Sequence, residues 1–232
     1  MKTDYSKEPY RIIPWHQHVL GMDTETSGLD PTRHGIVELG AMAEDYQKNP
    51  AGEFHTYVNP GNVEFDPDAM KANKISMDAI KSAPHIKDVL PSFMDFMRQH
   101  SHFREGVNDS GNAYRVPNTH TVGHNLYFDL DHLTHAFRQY HPKLAEEFNN
   151  LTRHKHDTQQ FSPAADKQRT LHGLGKLYGI ENANQHSALG DVRQTLDVYH
   201  HQRGIQRLSE RLYLAELDRQ RNRTASVKWM TS

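Results

Sequence analysis

The stretch VLGMDTETSGLD, residues 19 to 30, places two carboxylates, Asp23 and Glu25, at the end of an apolar segment. Side chains two residues apart in a β-strand point to the same side, so the two acids would stand together where the strand ends. Burying such charges is costly unless something compensates them. The pair therefore requires a compensating partner.

Two later segments carry groups of the same chemical kind. GHNLYFDLDHL places Asp129 one turn into a helix that follows a strand, and HSALGDVRQT places His186 and Asp191 near the start of another helix. Four carboxylates suit hard divalent cations such as Mg²⁺, and two such ions can clamp the attacking and leaving oxygens of a phosphodiester. A histidine can act beside them as a base near neutral pH. The set predicts metal-dependent hydrolysis of a phosphodiester.

Each of these groups alone has a more ordinary interpretation. An Asp-x-Glu pair at a strand end is commonly solvated, and an aspartate on a helix is commonly exposed. A histidine in a chain with 18 of them is commonly a surface residue. The order and context of the three segments favour the catalytic interpretation.

The spacing of apolar residues along the chain predicts the strands and helices that position these residues. Strand-like segments within the stretch 19–30 and at residues 35–46 and 53–58, separated by short turns, predict an antiparallel meander. Apolar residues at helical spacing, with helix-start signals, then predict helices. The predicted helices are DPDAMKAN, HIKDVLPSFMDFMRQH, LYFDLDHLTHAFRQY, TLHGLGKLYGI, SALGDVRQTLDVYHHQ and GIQRLSERLYLAELDRQRNR, and HTVGHN is a predicted short strand. This arrangement predicts an α/β fold with a mixed sheet.

Composition limits the class of protein. With 232 residues and 35% apolar content, the chain can bury a sizeable core in one domain with appendages. It has no cysteine, and no stretch approaches the roughly 18 apolar residues that cross a bilayer. The N-terminus lacks the apolar run of a signal peptide. A net charge of −2 gives no global basic signature, although a local basic groove is compatible with it. We expect a soluble, cytoplasmic protein.

The motifs DTETSG, GHNLYFD and HSALGD resemble the three exonuclease motifs of the DEDDh (DnaQ-like) 3′–5′ exonuclease family. That family includes the epsilon proofreading subunit of bacterial DNA polymerase III and ribonuclease T. The similarity also includes FHTYVNPGNVEFDPDAMKANKI, SFMDF and LHGLGKLYGI, and it covers about residues 17 to 200. It implies a ribonuclease H-like fold, with a five-stranded mixed sheet flanked by helices. The implied reaction is metal-dependent hydrolysis from a 3′ end, releasing nucleoside 5′-monophosphates.

The resemblance also implies a role for each matched residue. Asp23 would bridge two Mg²⁺ ions, with Mn²⁺ also supporting activity, and Glu25 and Asp191 would complete one metal site. Asp129 would hold the second ion, and His186 would be the general base.

Four further residues are implied to bind the substrate. Thr26 and Asn125 would line the terminal nucleotide. Asn73 and Ile75, from ANKIS, would reach the substrate from the helix after the third strand.

The sequence is compatible with three functions. The first is a 3′–5′ exonuclease acting on single-stranded DNA or frayed 3′ ends, either alone or as the proofreading partner of a DNA polymerase. The second is an exoribonuclease that trims RNA ends or short oligonucleotides, since the sugar is recognised by side chains outside the motifs. The third is a non-catalytic, polymerase-associated binding subunit. It predicts the loss of at least one of the five motif residues, and all five are present.

The chain divides into three predicted regions. Residues 1–16 are an N-terminal extension, residues 17–201 the exonuclease domain, and residues 202–232 an amphipathic basic C-terminal helix and tail. The domain contains a polar insertion at about residues 100–118, either a surface loop or a small hairpin. Four residues of the insertion could stack on bases or hold phosphate; they are Phe103, Arg104, Tyr114 and Arg115.

Overall fold

The computed structural model describes residues 18–45, 47–162, 169–180 and 187–204. The strands are β1 (Val19–Thr26), β2 (Ile36–Glu44), β3 (Pro50–Tyr57), β4 (Phe103–Val107), β5 (Ala113–Pro117), β6 (His120–Gly123) and β7 (Lys155–Asp157). The helices are α1 (Pro67–Asn73), α2 (Met77–Ser82), α3 (Ile86–His100), α4 (Leu126–Tyr140), α5 (Pro142–Leu151), α6 (Leu171–Tyr178) and α7, residues 188–204.

Five strands form the central sheet, in the order β3-β2-β1-β6-β7. The first three strands pair antiparallel, as short turns between them require, whereas β6 and β7 run parallel to β1 after helical connections. The predicted five-stranded mixed sheet is therefore confirmed. The antiparallel register makes Asp23 the partner of Gly40 and Glu25 the partner of Glu38.

The two faces of the sheet are covered by different helices. Alternation along β1 places Leu20 and Met22 in a large core with side chains of α3, α4 and α5. Val19, on the other face, packs with Val192 and Leu196 of α7. Fully burying a side chain such as Phe93 contributes about 1.5–3 kcal/mol to stability. Helices α4 and α7 therefore pack on opposite faces of β1.

Three elements were not predicted from the sequence: helices α2 and α5 and strand β7. Helix α5 begins at Pro142, directly after α4 ends, so its periodicity merges with that of its neighbour. Strand β7 has only three residues, and two of them are buried polar residues, His156 and Asp157. Such a strand lacks the apolar run by which strands are recognised in a sequence.

The polar insertion forms a hairpin of β4 and β5, outside the central sheet. Within it, the guanidinium of Arg115 lies 4.1 Å from the ring centroid of Phe103 and 3.3 Å from Glu105. Two of the side chains that could stack on bases or hold phosphate therefore contact each other. The hairpin joins the sheet at the amino-terminal end of β6, whereas Asp23 and Glu25 lie at the carboxyl-terminal end of the parallel strand β1.

Several predictions concern residues outside the described ranges. These are the N-terminal extension at 1–16, the general base His186 and the C-terminal segment beyond residue 204. Helix α7 continues through residue 204, so the predicted domain boundary after residue 201 falls inside it. Among the helices that the structure describes, none has both the length and the apolar character needed to cross a bilayer.

Candidate functional site

Strand β1 presents the first two acids toward the α7 face of the sheet. Asp23 and Glu25 alternate with Thr24 and Thr26, and both acids are half-buried. Across the register they face Gly40 and Glu38 of β2. The strand therefore holds two carboxylates side by side, as their spacing predicts.

Helix α7 brings the third acid to this edge because β2 offers no side chain at Gly40. A methyl group there would lie 2.8 Å from the backbone of Ala188 and Leu189, in the first turn of α7. This close approach places Asp191 beside β1. One carboxylate oxygen from each of Asp23, Glu25 and Asp191 lies within 4.8 Å of the others.

Asp129 approaches the same edge from the opposite face of the sheet. It is buried, with 2% of its surface exposed, in the first turn of α4. Its Oδ1 accepts hydrogen bonds from the backbone N–H of Thr24 at 2.8 Å and from the Thr24 hydroxyl at 2.7 Å. Asp129 is therefore tied to the residue between Asp23 and Glu25.

Burial and mutual repulsion raise the pKa values of these acids. The pKa of Asp23 is well above its usual range because of burial and then because of Asp129, Glu25 and Asp191. Burial, followed by repulsion from Asp191, raises the pKa of Glu25 to about 8. Burial raises the pKa of Asp129 to about 7, although the two hydrogen bonds from Thr24 lower it. Each charge is thus costly unless a cation is present.

These residues fit a divalent cation by both geometry and chemistry. Three converging carboxylates, with a fourth nearby, form an oxygen-only donor set of the kind that Mg²⁺ and Mn²⁺ accept. A bound cation would also remove the repulsion that raises the pKa values. The cluster of Asp23, Glu25 and Asp191 can therefore hold a metal ion.

Three of the residues predicted to bind substrate, Thr26, Asn73 and Ile75, are linked at the end of β1. Thr26 is buried and donates from its hydroxyl to the carbonyl of Gly28. Asn73 is also buried; its side-chain amide donates to the carbonyl of Thr26 at 3.2 Å, and its Oδ1 accepts from the N–H of Ile75 at 3.1 Å. Asn73 thus links Ile75 and α1 to the end of β1. Asn125 is exposed at the start of α4.

A fifth acid, Glu38, lies beside this site and was not predicted from the sequence. Glu38 is 2% exposed, and its Oε1 lies 2.7 Å from Nε2 of His55 on β3. Glu38 contributes to the raised pKa values of Asp23 and Glu25. The signal in the sequence was a lone glutamate inside the apolar strand segment GIVELGAM.

Comparison with known proteins gives the same family as the motifs. Residues 20–199 match the RNase_T family, described as Exonuclease. DNA polymerase III subunit epsilon of Buchnera aphidicola is 24% identical over 185 residues, which cover 76% of this chain and 70% of that protein. The corresponding subunit of Rickettsia prowazekii is 27% identical over 185 residues, covering 77% and 70%.

Solved structures show the same fold. Escherichia coli exonuclease I in complex with a dT13 oligonucleotide superposes with a TM-score of 0.63 at 20% identity, over 85% of this chain and 43% of that chain. A zinc-bound complex of the same enzyme with single-stranded DNA gives a TM-score of 0.61 at 19% identity, over 81% and 40%. The chain thus spans less than half the length of these solved chains. The predicted ribonuclease H-like fold and exonuclease class are confirmed, and the chain belongs to the RNase_T exonuclease family of DnaQ-like enzymes.

Proposed function

We propose that the chain is a metal-dependent 3′–5′ exonuclease that hydrolyses DNA and releases nucleoside 5′-monophosphates. The observation that carries the proposal is the convergence of Asp23, Glu25 and Asp191 within 4.8 Å in a chain of the exonuclease family. Three carboxylates that repel one another lower the stability of the folded state unless they bind a cation. A metal-binding function therefore accounts for a cluster that would otherwise destabilise the fold.

Two Mg²⁺ ions are the cofactors that this donor set favours, with Mn²⁺ as a substitute. Asp23 would be shared between them, Glu25 and Asp191 would complete one site, and Asp129 would serve the other. Bound ions supply the positive charge that activates a water and stabilises the leaving oxygen of the phosphodiester.

The proposed roles of the other side chains are to orient a metal ligand and to take a proton from the attacking water. Thr24 fixes one oxygen of Asp129, so this carboxylate keeps one orientation while a substrate enters. His186 is the proposed general base that takes the proton from the attacking water. It lies five residues before Asp191 in the sequence.

Exposed apolar side chains at this edge support a nucleic-acid substrate. Leu29, just after β1, is 80% exposed, and Tyr127, two residues before Asp129, is 49% exposed. Unstacked bases at a strand end can lie against such side chains. Thr26 and Asn125, with Asn73 and Ile75 behind the end of β1, are the proposed contacts of the terminal nucleotide.

The names of the relatives favour DNA over RNA. The curated relatives are subunits of a DNA polymerase, and the solved neighbours hold DNA oligonucleotides. We therefore propose single-stranded DNA or a frayed 3′ end as the substrate and a DNA polymerase as a partner. Release of mononucleotides from RNA alone is the outcome that would replace this proposal.

The test uses the full chain with 5′-labelled single-stranded DNA and RNA of matched sequence. With Mg²⁺ we expect a ladder of shortened DNA products, no cleavage in excess chelator, and resistance of a DNA strand with a blocked 3′ end. Asp23→Asn should be inactive, whereas Asp95→Asn, at an exposed position of α3, should retain activity. Cleavage in excess chelator, internal cuts as first products, or cleavage of RNA only would contradict the proposal.

A further inference from the structure

Asp157 is a buried carboxylate that the proposed reaction does not use. It ends β7, 3% exposed, and its Oδ1 accepts hydrogen bonds from the backbone N–H groups of Asn125 and Gln159, each at 3.0 Å. The bond to Gln159 is local and closes a turn. The bond to Asn125 crosses to the first residue of another element.

Asn125 has an unusual backbone conformation at that point. Its φ of 58° and ψ of 40° lie in the left-handed region, and its own side chain makes no capping hydrogen bond to α4. A left-handed residue other than glycine is strained, although asparagine tolerates this conformation better than most residues. The conformation therefore depends on what the neighbouring structure holds in place, and Asp157 holds its N–H group.

The turn at Asn125 sets where Asp129 lies. The two residues are four positions apart, about one helical turn, so a shift at the start of α4 moves Asp129 with it. At its other end, the same turn is attached to β1 through the hydrogen bonds of Thr24 to Asp129. The first turn of α4 is thus fixed at two points, by Asp157 and by Thr24.

The residue after Asp157 connects this turn to the opposite helical layer. The Thr158 N–H donates to the carbonyl of Gly123 at 2.9 Å, and the Thr158 carbonyl accepts from Nε2 of Gln202, in α7, at 2.9 Å. The end of β7 therefore contacts both helices that carry predicted metal ligands.

We propose that Asp157 is a positioning residue for the metal site. Its carboxylate holds Asn125 in the left-handed conformation and so keeps Asp129 in register with β1. The effect on metal binding rests on the proposed function, whereas the effect on the bond between Thr24 and Asp129 does not. Partners that orient metal ligands in this way commonly change metal affinity about 10–100-fold when they are removed.

The test compares substitutions that keep or remove the bond to Asn125. Asp157→Ser keeps an oxygen for the local turn at Gln159 but is too short to reach Asn125, and Asp157→Asn keeps both bonds. Asp45→Ser is the matched control, because Oδ1 of Asp45 also accepts from two backbone N–H groups, Gln47 at 2.7 Å and Asn49 at 2.9 Å. Asp45 lies at the other end of the sheet, beside Glu44.

Two readouts are measured on the full chain, the hydrogen exchange of the Thr24 amide in chelator and the affinity for Mn²⁺ alone. In Asp157→Ser we expect faster exchange at Thr24 and Mn²⁺ affinity lower by roughly 10–100-fold. Asp157→Asn and Asp45→Ser should resemble the wild type in both readouts.

Three results would overturn the proposal. One is unchanged exchange at Thr24 in Asp157→Ser, and another is the same loss in Asp157→Asn as in Asp157→Ser. The third needs no variant: an Asn125 amide in the wild type that exchanges as fast as a free amide. If the wild type binds no Mn²⁺, the proposed metal site is refuted, and the exchange at Thr24 still decides whether Asp157 positions Asp129.

Discussion

Thr24 donates two hydrogen bonds to the same oxygen of Asp129, one from its backbone and one from its side chain. The pairing of β1 with β6 ends at Gly21 and Val122, because the chain then turns into α4. The Asp129 carboxylate thus takes the place of a strand neighbour for the backbone N–H of Thr24. A predicted metal ligand therefore also accepts a backbone hydrogen bond of β1 that has no partner in β6.

Removing the Thr24 hydroxyl tests this double role. Thr24→Val keeps the shape and the backbone bond but removes the side-chain bond to a buried carboxylate. We expect the free energy of unfolding to fall by about 1–3 kcal/mol in denaturant titrations with Mg²⁺ present. The affinity for Mn²⁺ should fall as well, because Asp129 loses one of the bonds that orient it.

Thr152→Val is the control for Thr24→Val. The buried Thr152 hydroxyl donates to the carbonyl of Phe148 at the end of α5, so its loss should reduce stability without changing Mn²⁺ affinity. Equal Mn²⁺ affinities in wild type and Thr24→Val would show that the hydroxyl does not orient the ligand.

The close approach at Gly40 leads to a second prediction. In Gly40→Ala the added methyl group meets the backbone of Ala188 and Leu189 at 2.8 Å, so the first turn of α7 must shift. Overpacking of this kind costs about 1–3 kcal/mol. Because the same turn leads to Asp191, we expect lower Mn²⁺ affinity and a lower rate of DNA hydrolysis. The circular dichroism spectrum should show that the sheet is retained.

Gly204→Ala is the matched control for Gly40→Ala. An added methyl group at Gly204 meets no atom within 4 Å among the described residues. It should leave Mn²⁺ affinity unchanged. Wild-type affinity in Gly40→Ala would mean that the position of Asp191 does not depend on this contact.

The raised pKa of Glu25 predicts how the metal-free protein responds to pH. Its pKa is about 8 in the folded chain, against an ordinary value of 4.5. The folded state therefore holds a proton that the unfolded state has lost, and stability falls as the pH rises from about 4.5 to 8. In chelator, the melting temperature of the wild type should decline as the pH rises across this range. The melting temperature of Glu25→Gln should decline less.

Adding Mg²⁺ should reverse most of that decline at pH 8. The cation binds only the folded arrangement of carboxylates and stabilises it by mass action. A wild-type melting temperature in chelator that is constant from pH 5 to pH 8 would contradict the repulsion among these acids.

His156 predicts the opposite response at acid pH. Burial is the main reason that its pKa is lowered to about 4; Arg203 lowers it further, while Gln202 and Asp157 act in the other direction. The unfolded histidine takes up a proton near pH 6.5, so stability is present above this pH and is lost as the pH falls toward 4.

A substitution at His156 isolates that contribution. His156→Leu should flatten the dependence of unfolding free energy on pH between 6.5 and 4, measured in denaturant titrations. His201→Leu, at an exposed position of α7, should keep the wild-type slope. If the two substitutions have equal slopes, His156 is not the group responsible.

Substitutions of Asp23 and His186 should have different effects on Mn²⁺ binding and on turnover. Asp23→Ala removes a shared ligand, so both Mn²⁺ binding and turnover should be lost. His186→Ala should bind Mn²⁺ normally yet lose roughly 10²–10⁴ in single-turnover rate, the usual contribution of a positioned acid–base group. Near-wild-type turnover in His186→Ala would remove this residue from catalysis.

The sequence predicted those parts of the fold that are encoded in local patterns. Alternation and turns revealed β1 to β3, and helical spacing revealed α3 and α4, because each pattern spans many residues. Strand β7 was not predicted because three residues are too few to show the alternation of a strand. Its formation depends on pairing with β6. The same holds for Asp157, whose role depends on a partner 32 residues away.

Within the site, the motifs identified which acids to examine but not how they are arranged. Asp23 and Glu25 share a side because of strand geometry, which the sequence shows directly. Asp191 joins them through a glycine on a neighbouring strand, and Asp129 arrives from the other face of the sheet. Those relationships depend on tertiary packing, so no local pattern contains them.

The supply of ligands from both faces of one sheet has a consequence for folding. Asp191 comes with α7, Asp129 comes with α4, and the two layers pack on opposite sides of β1. A chain in which only one layer has packed holds an incomplete set of carboxylates. Metal affinity should therefore appear late in refolding, after both layers have formed. A partly folded chain would then be unable to hold the metal that the proposed hydrolysis requires.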